Sequence, residues 1–253
     1  MIHFVGAGCG AEDLITVRGL NLLKAADVIV YAGSLVNPRL TEYSEKPSCR
    51  VYNSATMTLD EVMEVLIDAE EKGLDTVRLH TGDPSMYGAI KEQMDVLDEK
   101  GISYDVCPGV TAAFGAAAAL GMEYTLPSIS QSLILTRMEG KTGTPEAESI
   151  RSFAAHHTSM AIYLSSSLTE KLQEELIAGG YSPDTPAAIC LRVSWPDEAL
   201  FPCKVGTLAE TAKANGIYKT AIILVGDAIA PDGYEKSRLY AADFSTEYRQ
   251  ASE

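Results

Sequence analysis

The sequence predicts an α/β chain of two α/β domains, the first on a mostly parallel sheet and the second on a mixed one. Three observations carry this. Strand-length apolar runs at 2–8, 27–31 and 76–81 are nearly continuous, as strands covered on both faces require. Helical patterns separate them, which is the spacing of parallel strands joined by crossover helices. After Leu126-Pro127 the pattern restarts and comes to include two strands, 187–192 and 200–206, joined without a helix, so the second sheet is expected to be mixed. The boundary is placed near Pro127, giving domains 1–127 and 128–253.

In chain order, a strand over 2–8 leads to a helix over 14–25 and strands over 27–31 and 50–53. Thr58 with Glu61 three residues later is a capping-box signature, opening a helix that runs to Lys72 and stops at Gly73. A strand at 76–81 precedes a helix over 87–100 ending at Gly101, a strand at 103–107, and an alanine-rich helix at 112–120. The second half reads as a strand at 132–137, a Gly/Thr/Pro loop at 141–145, a helix at 146–155, a strand at 159–165 and a helix at 168–178. After the two joined strands come a helix at 208–215 and a strand at 220–226. From Tyr234 the chain is polar and is expected to be a poorly packed extension.

Composition narrows the partners. Of 253 residues, 35 are Asp or Glu and 20 are Lys or Arg, a net charge of −15. The resulting field repels phosphates, so general binding to nucleic acid or anionic lipid is not expected. No apolar run reaches the roughly 18–20 residues of a membrane helix. The N-terminus enters a strand pattern with no basic leader segment. The five cysteines (Cys9, Cys49, Cys107, Cys190, Cys203) form no C-x-x-C pair and read as reduced thiols of a cytoplasmic protein. His3, His80, His156 and His157 lack ligand spacing to cysteines or acids, so no metal site is expected.

Four loops could carry chemistry. Gly6-Ala7-Gly8-Cys9-Gly10-Ala11 satisfies a loose dinucleotide fingerprint. However, the second strand ends Val30-Tyr31-Ala32-Gly33 without the acid that would bind a ribose, and Glu12-Asp13 would repel a pyrophosphate. The alternative is a tight turn using glycine. His80-Thr81-Gly82-Asp83-Pro84-Ser85-Met86-Tyr87-Gly88 places a carboxylate at a strand's carboxyl end, where α/β sheets bind ligands. Asp83 there is either a ligand group or a helix cap. In Pro108-Gly109-Val110-Thr111-Ala112, Thr111 is a contact residue or only an N-cap. Arg192-Val193-Ser194-Trp195-Pro196-Asp197 holds the single tryptophan beside an arginine, in a site loop, an interface or a lid.

Taken together, these loops resemble the tetrapyrrole methylase family, which carries a Gly-rich first loop, a Gly-Asp-Pro loop, a Pro-Gly-Val-Thr loop and a Trp-Pro-Asp loop. Tyr31-Ala32-Gly33-Ser34-Leu35-Val36, the 80–88 loop, Leu126-Pro127 through Ser130-Gln131 with Leu135-Thr136-Arg137, and Ser194-Trp195-Pro196-Asp197 resemble its precorrin-4 C-11 methyltransferase branch. The resemblance spans nearly the whole chain. Where the family's first loop carries proline and aspartate, this chain has Cys9 and Ala11, with acids at Glu12-Asp13.

The resemblance implies two α/β domains enclosing a cleft that holds S-adenosylmethionine, and a homodimer. It implies cofactor contacts at Thr81, Gly82, Asp83, Met86, Thr111, Ala112, Leu164, Val193, Thr220 and Ala221, and places Gly8, Cys9 and Gly10 along the tetrapyrrole trough. The substrate would be a polycarboxylate, with or without cobalt. Local cations must face it in so acidic a protein, and Arg137 and Arg192 are the candidates, since guanidinium binds carboxylate bidentately. No catalytic base is singled out. A methylase of another ring position, for instance on uroporphyrinogen, is the nearest alternative. The Ala-Gly-Ser-Leu-Val and Ser-Trp-Pro-Asp segments weigh against it. A non-catalytic carrier and a nicotinamide oxidoreductase are the other classes, disfavoured respectively by the intact 82–84 and 111–112 motifs and by the missing ribose acid.

Overall fold

The computed structural model describes residues 1–140 and 142–251. Lys141, which opens the loop expected at 141–145, and the last two residues of the tail lie outside the described residues. The chain forms two compact units: Met1–Ala116 with Arg192–Glu198, and Ala117–Leu191 with Ala199–Glu253.

In the first unit, β1 (Ile2–Gly6), β2 (Val28–Tyr31), β3 (Arg50–Asn53), β4 (Thr76–His80) and β5 (Tyr104–Cys107) form one sheet in the order β3-β2-β4-β1-β5. Every pairing is parallel, with Gly6 opposite His80 and Val5 opposite Cys107. Alternation along β1 sends Phe4 and Val5 to opposite faces. One face packs Val5, Val77, Leu79 and Ile29 with Leu23 of α1 (Val17–Ala25). The other packs Phe4, Val28 and Val30 with Val62, Met63 and Leu66 of α2 (Leu59–Glu71) and Leu97 of α3 (Ile90–Glu99). Both faces are covered, which is why these strands read as apolar runs. The capping box of α2 is present, with Thr58 N donating to Glu61 Oε2 at 2.7 Å and Glu61 N to Thr58 Oγ1 at 3.3 Å.

The second unit holds β6 (Leu133–Arg137), β7 (Ser159–Tyr163), β8 (Pro186–Leu191), β9 (Ala199–Lys204) and β10 (Ala221–Val225) in the order β6-β7-β10-β8-β9. Only β6 and β7 run parallel, so the sheet is mixed as expected. Its core gathers Met160, Ile162, Ile189 and Ile223 under Ile150 of α5 (Ile150–Ala154), Leu172 and Leu176 of α6 (Thr169–Ala178) and Leu208 of α7 (Leu208–Ala214).

Several helices start later than the apolar pattern suggests. The helix expected from Leu14 is a 3-10 turn at Glu12–Leu14, and α1 begins only after Thr16, whose Oγ1 accepts from Gly19 N at 3.0 Å. The helix expected from Tyr87 begins at Ile90, because Tyr87 and Ala89 take φ of 56° and 49°, left-handed values no α-helix accepts. The 146–155 helix divides into a 3-10 turn at Glu146–Glu148 and α5, with Ser149 as N-cap. The change of unit falls inside α4 (Ala112–Leu120), whereas the sequence suggested Pro127. Pro127 marks a turn, while packing decides the units: Gly115 in α4 lies against Cys9 and Val193 of the first. The tail is largely exposed, and Arg249 donates to the carbonyls of Leu239, Tyr240, Ala241 and Phe244.

Candidate active site

Three loops leave the carboxyl ends of the neighbouring strands β4, β1 and β5. They touch through bare backbone. A Cβ on Gly109 would stand 2.2 Å from the Gly82 carbonyl oxygen, and one on Gly6 2.6 Å from Gly109 Cα. Gly8 and Gly82 exchange backbone hydrogen bonds, Gly82 N to Gly8 O at 2.8 Å and Gly8 N to Gly82 O at 3.2 Å. Gly82 holds φ of 61°, which only glycine adopts without strain.

Asp83 fastens this cluster. Its Oδ2 accepts from Gly109 N at 2.8 Å, and its Oδ1 from Ser85 N at 2.8 Å and Ser85 Oγ at 2.5 Å. Partial burial raises its pKa, but the Ser85 and Gly109 hydrogen bonds outweigh this and hold it below the ordinary value. The carboxylate therefore ties the β4 loop to the β5 loop, a role neither the ligand nor the helix-cap reading described. Thr81 is half-buried with Oγ1 3.5 Å from Leu35 O, Met86 and Ala112 are half-buried, and Thr111 is buried.

The segment Arg192–Glu198 completes the first unit. Ser194 Oγ accepts from Ala11 N at 3.0 Å and lies 3.4 Å from Cys9 Sγ, and Ser194 N donates to Glu198 Oε2 at 2.6 Å. A Cβ on Gly10 would collide with the Trp195 indole at 2.3 Å. Val193 is buried beside Gly115. Arg192 stacks its guanidinium 4.4 Å from the Trp195 ring centroid and donates from Nε to Asp197 Oδ1 at 2.6 Å. Gly8, Cys9 and Gly10, all buried, are thus walled by this segment.

In the second unit, Arg137 pairs in register with Tyr163 at the ends of β6 and β7. Its guanidinium donates to the carbonyls of Met138, Thr142 and Gly143. Leu164 follows with φ of 52° and an exposed side chain, and Thr220 takes φ of 57° just before β10. Ser166 Oγ donates to Ala221 O at 3.3 Å, joining the end of β7 to the start of β10. The Arg137, Leu164, Thr220 and Ala221 positions therefore share one end of this sheet.

Sequence reasoning missed several participants. Asn37 Nδ2 donates to Gly10 O at 3.1 Å, fixing the first loop from the β2 side. Tyr43 OH donates to Glu12 Oε2 at 3.1 Å, and Arg39 lies 3.3 Å from Glu12 Oε1. The Glu12 hydrogen bond raises the Tyr43 pKa. Asn37-Pro38 is an Asx-turn signal that could have been read; the partners of Glu12 leave no local trace. Among the described residues, no His, Cys, Asp or Glu cluster could hold a metal ion, and no helix is long and apolar enough to cross a membrane.

Glycine-closed loops at parallel strand ends in one unit and a mixed sheet in the other describe a two-unit α/β architecture. The chain belongs to the tetrapyrrole (corrin/porphyrin) methylases, whose family model matches residues 1–209. Among its relatives, a cobalt-precorrin-4 C(11)-methyltransferase of Methanocaldococcus jannaschii is 48% identical, covering 99% of this chain and 96% of the relative. A precorrin-4 C(11)-methyltransferase of Pseudomonas aeruginosa is 44% identical, covering 98% of both. A crystal structure of a cobalt-precorrin-4 methyltransferase of cobalamin biosynthesis superposes with a TM-score of 0.88 at 45% identity, covering 91% of this chain and 96% of that one.

Proposed function

We propose that this chain transfers a methyl group from S-adenosylmethionine to C-11 of precorrin-4 or its cobalt-bearing form, in building the corrin ring. The observation that carries the reading is the likeness, over nearly the full length, to enzymes of that name. The local geometry supports it. Glu12 and Asp13 beside the first loop disfavour a phosphate-bearing cofactor, whereas S-adenosylmethionine carries none. The walls around Gly82 and Gly109 are backbone, suited to gripping a ligand by carbonyl and amide groups.

When bound, S-adenosylmethionine supplies an electrophilic methyl on a sulfonium. Thr81, Gly82, Asp83, Met86, Thr111, Ala112 and Val193 are its proposed contacts. Asp83, kept ionised by its three hydrogen bonds, works by fixing the walls. Holding the methyl donor and its acceptor carbon in line would contribute on the order of several kcal/mol to the rate enhancement. Gly8, Cys9 and Gly10 are the proposed lining of the tetrapyrrole path, and Arg192, which stacks on Trp195 and pairs with Asp197, is the proposed partner of a substrate carboxylate. The protein is proposed to work in the cytoplasm as a homodimer.

Calorimetric titration with S-adenosylhomocysteine should show one site per chain, and a methyl-transfer assay on metal-free and cobalt-bearing substrate should show turnover with at least one. Binding of a nicotinamide cofactor in place of S-adenosylhomocysteine would overturn the reading.

A further inference from the structure

Beneath the β4 loop lies a buried cation without a carboxylate. Arg78, in β4, is 7% exposed, and among the described residues it forms no ion pair. Burial lowers its pKa to about 10, leaving it charged at neutral pH. Burying a guanidinium is costly unless its N–H groups are met. Nε donates to Gln93 Oε1 at 3.1 Å and an Nη donates to Val30 O at 3.3 Å.

Gln93 is itself buried at 4% exposure, on the first turns of α3. Its Nε2 donates to Ala89 O at 3.1 Å. Ala89 is the N-cap of α3, yet it has no capping side chain and sits at φ 49°, ψ 35°. Left-handed backbone is unfavourable for alanine, so something must hold it. Tyr87 two residues earlier is left-handed as well. Between them Gly88 closes on the loop: a Cβ there would stand 2.2 Å from Pro84 O. Met86 N in turn donates to Asp83 O at 3.1 Å.

The contacts thus run unbroken from the sheet interior to the loop: Arg78 orients the Gln93 amide, Gln93 holds the Ala89 carbonyl, and the turn at 84–89 closes back on Asp83 and Met86. We propose that Arg78 and Gln93 are positioning residues for the methyl-donor loop, setting the strained return of the turn and so the place of Asp83 and Met86. This rests on the cofactor assignment above for its binding consequence, though not for its effect on the turn.

The decisive variant is Gln93→Glu. It keeps an oxygen for Arg78 and gives that buried charge a counter-ion, but an ionised carboxylate cannot donate to Ala89 O. Gln93→Met, which removes both bonds at similar volume, is the second variant should the first fold poorly. Two readouts are taken on the full chain. Amide hydrogen exchange over 84–90 should quicken in the variant while the exchange of β1 and β4 stays as in wild type. The Kd for S-adenosylhomocysteine and the KM for S-adenosylmethionine should rise roughly three- to tenfold, the loss of about one hydrogen bond, with kcat within about twofold. Unchanged exchange over 84–90 in a folded variant overturns the proposal. So does quickened exchange with unchanged Kd, which would leave the pair a merely structural device. Wild-type protein that fails to bind S-adenosylhomocysteine defeats the functional reading instead, and the exchange result still decides the role of the pair in the turn.

Discussion

The two units hold loops at strand ends by different means, although left-handed non-glycine residues such as Tyr87 and Ala89 occur in the first as well. The first removes side chains: Gly6, Gly82 and Gly109 let three loops meet backbone to backbone, and one carboxylate, Asp83, fastens them. The second keeps its side chains and bends the backbone: Leu164 and Thr220 accept left-handed φ, while the Ser165 and Ser166 hydroxyls hold neighbouring segments. A glycine-built wall tolerates almost no added atom. A hydroxyl-tied one carries local strain that substitution can relieve.

The sharpest break of this contrast is Gly109→Ala. Its Cβ would meet backbone on two sides, so neither neighbour can rotate away. A loss of ~1–3 kcal/mol in denaturant-derived stability is expected. A neutral result would show that close backbone approach does not shape the first unit's loops.

Next in size is a paired comparison. Asp83→Asn loses part of a charge-assisted network and should cost ~1–3 kcal/mol at neutral pH. Because the folded pKa of Asp83 is depressed, its stabilisation is full above the unfolded value, near 3.9, and fades as pH falls through the lower folded one. The gap between wild type and Asp83→Asn should therefore narrow in acid. Ser165→Ala, which orphans Met138 N, should cost ~0.5–1.5 kcal/mol with no such narrowing. Equal acid profiles for the two variants, measured by denaturation from pH 2 to 7, would erase the distinction.

The smallest effect runs the other way. Leu164→Gly trades a left-handed leucine, 60% exposed, for the residue that favours that conformation. Strain relief and added chain entropy nearly offset, with a net gain of up to ~1 kcal/mol. A thermal midpoint several degrees lower would mean the Leu164 side chain packs rather than merely strains.

This contrast also explains what the sequence made legible. Glycine and proline punctuate a chain visibly, so the β1, β4 and β5 loops of the first unit stood out, as did the capping box of Thr58 and Glu61. Parallel strands covered on both faces announced themselves as apolar runs. By contrast, nothing in the string Leu164-Ser165-Ser166 reveals a left-handed residue, because the conformation is imposed by partners far along the chain. Tyr87 and Ala89 hid the true start of α3 for the same reason. Asp83 drew notice in the sequence as a carboxylate in a Gly-Asp-Pro loop, but its partner Gly109 is brought near only by the parallel pairing of β1 with both β4 and β5. Nothing in the sequence drew attention to Arg78 and Gln93, since a buried cation satisfied by neutral oxygens leaves no charge pattern to read.

The membership of Arg192–Glu198 in the first unit bears on how the protein is made. The ribosome releases residues in order, and domains generally fold as they emerge. Here the first unit is not whole until residue 198 has left the exit tunnel. Until then the Ala11 N–H lacks the Ser194 hydroxyl and Gly10 lacks the Trp195 indole, so the glycine loop is translated early and finished late. A truncated messenger ending at codon 127 therefore encodes the sheet of the first unit without the segment that closes its loop.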